Sequence, residues 1–294
     1  MKPSDIMHPE DAKAISVLKK IPLIDSICRE VLEFAEENIY RGENLAMMMR
    51  VTPTCMPDLF SDMSVVVSKV GIEMPDLYVY NDPVMNAFTF GETKPFVCVS
   101  SSVVEKMTRE EVKAILAHEC GHILCQHVLY NSVVHTLEDL GHDLGAIHYS
   151  LTGPMYLALC YWSRRSEFSA DRCAAAVVGE KVFQSSMLKL TSGLANVGTD
   201  PYQLVRQAKE YHTHERKSIW SRIQQNCRMA FYSHPQMVNR AYEIDRWKNS
   251  YNYQLFGISR MRTKKKKRKD EIRTLKSFPH SKTKCENSVE KDLR

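Results

Sequence analysis

The chain has 294 residues, 44% of them hydrophobic, which is enough apolar material to bury a core and excludes a chain disordered throughout. Its formal charge of +5 is uneven: residues 262–294 hold 13 Lys or Arg and 5 Asp or Glu, a net of +8, so the other 261 residues carry −3. The nine cysteines form no C-x-x-C pair, and a chain of this size needs no disulfide framework, so reduced thiols in a cytoplasm are expected.

The N-terminus lacks the basic, apolar, small-residue order of a secretory signal. Apolar residues at three- and four-residue spacing predict helices over Asp11 to Lys20 and Ile24 to Ile39, broken at Pro22. Residues 41–57, with Met47 to Met49, Pro53 and Pro57, read as irregular. A helix from Leu59 to Val70 is expected to stop at Gly71. Three β-like runs follow, Leu77 to Tyr80, Ala87 to Phe90 and Phe96 to Ser100, with turn residues between them. Thr108 and Glu111 have the spacing of a capping box and open a helix predicted to reach about Val133. A second long helix is predicted from about Pro154 through Val178, ended by Gly179. The longest uninterrupted apolar run of this region, Met155 to Trp162, is far short of the ~20 residues of a membrane span. A soluble, cytoplasmic protein is therefore expected, with no integral membrane insertion. The divisions are an N-terminal helical segment at 1–58, a main domain at 59–253, and a basic tail at 254–294 that is poor in apolar residues and reads as disordered.

The chemistry concentrates in Ala117-His118-Glu119-Cys120-Gly121-His122-Ile123. Four residues are a little over one helical turn, so His118 and His122 share a face and can share a cation. Glu119 lies about 100° round from His118, within reach of an open fourth position where a general base is needed. Read alone, the H-E-x-x-H string also fits two satisfied core histidines. A capped helix with Val112, Ile115, Leu116, Ile123 and Leu124 on its apolar surface, preceded by three strands, favours a metal site. The third ligand must come from His127, His135, Glu138, Asp139, His142, Asp143, His148 or Glu167. On a continuous helix His127 points roughly 140° beyond His122. Glu167 is preferred because Asp171 follows it one turn later on the same helix face. One carboxylate can then bind the metal while the other accepts the second ring N–H of a ligand histidine. An exposed acidic face is the plainer alternative for that pair taken without the histidines.

With both motifs in view, residues 60–245 resemble the HtpX and CAAX-prenyl-protease group of gluzincin metallopeptidases. Asn86-Ala87-Phe88, the strand Phe96 to Ser102, the helix Glu110 to Ile123, Glu167 to Asp171, and Ser233-His234-Pro235 with Arg240 match the group's segments in order. The resemblance implies an α+β, mostly helical zincin-like (gluzincin) core with a small sheet packed on the H-E-x-x-H helix. It implies one zinc ion per chain on His118, His122 and Glu167, Glu119 as base and acid, and Asp171 orienting a histidine, His118 by preference. Asn86, Ala87 and Phe88 would then hold an extended peptide, His234 would donate to the oxyanion, and Arg240 would tie the late segment to the acidic residues of the site. Many members of the group are membrane enzymes; the lack of spans here points to a soluble branch.

The expected activity is that of a zinc endopeptidase acting on proteins or peptides. Two alternatives stay open: a latent or scaffold-type zincin, and a membrane-surface or nucleic-acid-associated protein acting through its tail. Lys264-Lys265-Lys266-Lys267-Arg268-Lys269 suits weak contact with anionic lipid or nucleic acid by charge alone, but without interleaved aromatics a solvating role is favoured. Oligomeric state is not legible.

Overall fold

A computed structural model describes residues 1–34, 37–198, 200–215, 220, 223, 227–230 and 232–257. Four helices open the chain: α1 (Pro3–Ile6), α2 (Pro9–Leu18), α3 (Ile24–Phe34) and α4 (Glu37–Met47). The helix α4 replaces the irregular reading of residues 41–47. The prolines behind that reading lie past its end, and Pro57 serves at the first turn of the next helix, where its missing N–H costs nothing. The short strand β1 (Met49–Arg50) leads to α5 (Pro57–Val70), which is closed by Gly71 at φ 85° as expected.

The strands β2 (Asp76–Tyr80), β3 (Ala87–Phe90) and β4 (Phe96–Ser100) fall where alternation and turn residues put them. With β1 they form a mixed sheet in the order β1-β2-β4-β3, in which β2 and β4 are parallel and the other pairs antiparallel. Central β4 is buried at every residue, and β3 is an edge.

After α6 (Ser101–Lys106), the expected capping box forms. Thr108 accepts from the Glu111 N–H while the Glu111 carboxylate accepts from the Thr108 N–H at 2.8 Å, and α7 (Arg109–Leu124) begins. The chain then departs from expectation: α7 does not run to Val133. Gln126 adopts a left-handed φ of 59°, and α8 (Val128–Val178) starts anew with His127 at its N-cap. Apolar spacing persists across the break, which is why it reads as one helix. The second helix therefore begins at Val128 rather than near Pro154, and Pro154 lies within it. It ends at Gly179, followed by α9 (Glu180–Ser192), α10 (Gln203–Glu215) and α11 (Met237–Trp247).

The molecule is thus mostly helical with one small sheet. The helices α7 and α8 approach closely because Gly121 has no side chain: a Cβ there would lie 2.8 Å from Cys173 Cβ and 3.0 Å from Ala170 Cα. Ala14, Leu18, Ile24, Cys28 and Leu32 share one core cluster with Tyr78 and Phe96 of the sheet and with Tyr130, Leu159 and Trp162 of α8. The segment 1–58 accordingly belongs to the same compact unit, Met1–Gln254, as the residues after it. Most of the expected tail, including Lys264 to Lys269, lies outside the described residues. Among the described residues no helix is long and apolar enough to cross a membrane.

Candidate metal centre

The close packing of α7 on α8 sets His118 and His122 opposite Glu167, all three buried. His118 Nε2 and His122 Nε2 are 3.2 Å apart, with rings inclined at 84°. Glu167 Oε1 is 3.1 Å from His122 Nε2, and Oε2 is 3.4 Å from His118 Nε2. Ligands bonded at about 2.0–2.1 Å to a tetrahedral ion stand about 3.3 Å from one another, so these donors already have the spacing of a shared cation. Charge agrees with shape. Burial pushes the His118 ring down, but the Glu167 and Asp171 carboxylates outweigh it and hold its pKa up at about 10. Glu167 is held well below the usual carboxylate range: burial opposes this, and His234, Arg240 and His118 prevail. His122 is shifted the other way, burial holding its ring below the ordinary value and so neutral, as a metal-binding imidazole must be, while the Glu167 carboxylate stays ionised opposite it. The donor set, nitrogen and oxygen with no thiolate, fits zinc among others.

Behind His118, its Nδ1 lies 3.0 Å from Asp171 Oδ1. Arg240 clamps the same carboxylate, Nε at 2.9 Å from Oδ2 and Nη2 at 2.6 Å from Oδ1, and its Nη1 stands 3.2 Å from Glu167 Oε2. This buried arginine on α11 thus touches both acidic residues of the E-x-x-x-D pair. His234 sits at the rim with a side chain 58% exposed, its Nδ1 3.2 Å from Glu167 Oε2. That carboxylate raises its pKa.

Glu119 is buried beside the two histidines, and Thr89 of β3 donates its hydroxyl to Glu119 Oε2 at 2.7 Å. Asn86, Ala87 and Phe88 line the same cleft of about 290 Å³, with Phe183, Met187 and Leu190 of α9 among its apolar residues. Asn86 exchanges main-chain and side-chain hydrogen bonds with Ser100. By antiparallel alternation the main chain of Thr89 then faces away from β4 along the open edge.

Thr89 and a part for Asp11 are absent from the sequence reading, and His127 enters it only as a candidate third ligand turned away from the cation. Thr89 could be suspected from alternation along β3. His127 and Asp11 could not: the 140° separation of His127 from His122 assumes an unbroken helix. The turn at Gln126 instead brings His127 Nδ1 to 3.1 Å from His122 Nδ1, with Asp11 beyond it. Cys120, between His118 and His122, and Cys125, three residues beyond His122, are buried thiols whose pKa is raised by burial, that of Cys125 to about 12, which makes them inert packing groups.

Residues 56–248 match the model of Peptidase family M48. The chain is 30% identical over 254 residues to a plastoglobule-localized metallopeptidase 48, chloroplastic, of Arabidopsis thaliana, covering 85% of this chain and 74% of that protein. It is 30% identical over 159 residues to Protease HtpX of Shewanella frigidimarina and 28% identical over 200 residues to that of Nitrosococcus oceani. Those matches cover 42% and 58% of this chain, and only 55% and 64% of the two HtpX proteins. With a match over well more than half its length and a buried His-His-Glu cluster at the matching motifs, the chain belongs to peptidase family M48 as an HtpX-like metallopeptidase.

Proposed function

We propose that the protein is a zinc-dependent endopeptidase of zincin-like (gluzincin) architecture that cleaves peptide bonds in protein or peptide substrates. The observation that carries the reading is the three-donor cluster at tetrahedral spacing with a buried carboxylate beside it. His118, His122 and Glu167 would hold the ion, and Asp171 would keep the His118 ring in place by accepting its Nδ1–H. A bound zinc ion supplies a Lewis acid that polarises the scissile carbonyl and lowers the pKa of water to about 7. Glu119 takes the proton of the attacking water and passes it to the leaving amine. Thr89 holds Glu119 Oε2, which leaves Oε1 as the proton-accepting oxygen.

The edge of β3, from Asn86 through Thr89, accepts the substrate as an added strand through main-chain hydrogen bonds. His234, at the rim, donates to the oxyanion that develops on the far side of the carbonyl. Arg240 has a positioning part, fixing both acidic residues of the site. The catalytic domain is residues 59–253, with 1–58 as an N-terminal helical segment and 254–294 as a basic tail. The eight free cysteines among the described residues support action in the cytoplasm.

Glu119→Gln tests the reading. Metal content and digestion of a peptide library are measured side by side with wild type. The variant is expected to keep one zinc per chain while turnover falls by at least about 10²–10⁴-fold. Equal digestion by the two proteins would favour a scaffold-type zincin instead.

A further inference from the structure

His122 presents Nε2 to Glu167 and His118, so that nitrogen must be bare to receive a cation and the ring proton belongs on Nδ1. From there a chain of contacts leads out of the site. His122 Nδ1 is 3.1 Å from His127 Nδ1, and His127 Nε2 is 3.1 Å from Asp11 Oδ2, approached off the ring N–H axis. Ser169 donates its hydroxyl to the same Asp11 oxygen at 2.5 Å and accepts the His8 N–H at 2.9 Å. With the His122 proton on Nδ1, the arrangement that follows this chain outward has His122 donating to His127, and His127 and Ser169 facing Asp11 with their protons. Trp162 packs edge-on against His127, and both His127 and Asp11 are almost wholly buried. No Lys or Arg pairs with Asp11 among the described residues, and its Oδ1 has no hydrogen-bond partner. A buried carboxylate without a cation is costly; here the counter-charge would be reached through two imidazoles, at a cation held by His118, His122 and Glu167.

We infer that Asp11, acting through His127, is a positioning residue for the metal ligand His122, so that helix α2, which lies outside the family match, completes the metal centre. The inference rests on the metal-binding reading above. It gives each metal-facing histidine a carboxylate: Asp171 directly for His118, Asp11 by relay for His122. Asn131 is the competitor, since its amide stands 3.3 Å from His122 Nδ1 and its Oδ1 is otherwise without a partner.

Zinc affinity of the full chain, measured by competition with a chromophoric chelator, tests it. The visible spectrum of the Co²⁺-loaded protein and the melting temperature without metal are recorded beside it. His127→Phe keeps a ring against Trp162 but removes both nitrogens. It is expected to weaken zinc binding about 10–100-fold and to alter the Co²⁺ spectrum. His127→Gln can accept from His122 and donate to Asp11, and is expected to restore binding to within a few-fold. Asp11→Asn, which keeps the size of the side chain, is expected to weaken binding about 10-fold and to add little to His127→Phe. Should His127→Phe fail to fold, Asp11→Asn carries the test. Lowered melting temperatures with unchanged affinity would overturn the inference, as would an Asn131→Ala variant that alone reproduces the loss. A wild type that binds no zinc overturns the metal reading and this inference together; tight wild-type binding with unchanged variants overturns this inference alone.

Discussion

The two histidines that face each other across the candidate metal site are supported in opposite ways. His118 rests on Asp171, a residue of the same helix that carries Glu167, and Asp171 is neutralised in place by Arg240. His122 leans on His127 across a helix break and, beyond it, on Asp11 of the N-terminal helix. The first support is local, charge-paired and inside the family match; the second is long-range, unpaired and partly outside it. The difference teaches that a metal site can be anchored at one end by a motif and at the other by whatever packs against it.

Removing the carboxylate on each side separates the two. Asp171→Ala removes both hydrogen bonds that Arg240 makes to this carboxylate, leaves the buried guanidinium with Glu167 alone, and is expected to cost about 3–5 kcal/mol of stability, read by denaturant unfolding. Asp11→Ala leaves only neutral donors without an acceptor, and about 1–3 kcal/mol is expected. Equal losses would mean that the two supports are not different in kind. Gly121→Ala strikes the contact that both supports presuppose. A Cβ 2.8 Å from Cys173 Cβ must push α7 from α8, at an expected cost of about 1–3 kcal/mol and with a loss of zinc affinity in the same chelator competition.

The smallest effect is expected at a buried network far from either histidine. Glu111 accepts from Lys189 at 2.8 Å and from Ser185 at 2.6 Å at the start of α7. Burial pushes its carboxyl up, but these partners prevail and hold it below its ordinary value of 4.5. A depressed folded-state pKa stabilises above 4.5 and loses that contribution as pH falls through the lower folded value. Glu111→Gln should therefore lower stability by about 1–2 kcal/mol at neutral pH, less as the medium is acidified below 4.5, and leave zinc affinity unchanged. An altered affinity would show that general loosening of α7, rather than specific support, governs the site.

The same contrast explains what was legible in the sequence. His118, Glu119 and His122 declare themselves because helical periodicity converts a spacing of four into a shared face. Glu167 and Asp171 follow by the same rule on a second helix, and the strands follow from alternation and turn residues. The break at Gln126 was not legible: a left-handed residue without glycine carries no compositional mark, and the apolar pattern runs on through it. The position of His127 depended on that break, and Asp11, 116 positions away in the chain, has no spacing to betray it. Arg240 was legible only through resemblance, since one late arginine says nothing by itself about burial.

The most direct measurement is X-ray absorption at the zinc edge of the zinc-loaded full chain. Two imidazole nitrogens and oxygen donors at about 2.0–2.1 Å are expected, with no sulfur, and Glu167→Ala should abolish stable binding. A sulfur shell near about 2.3 Å, or an unchanged spectrum in that variant, would contradict the assignment of the ion to His118, His122 and Glu167.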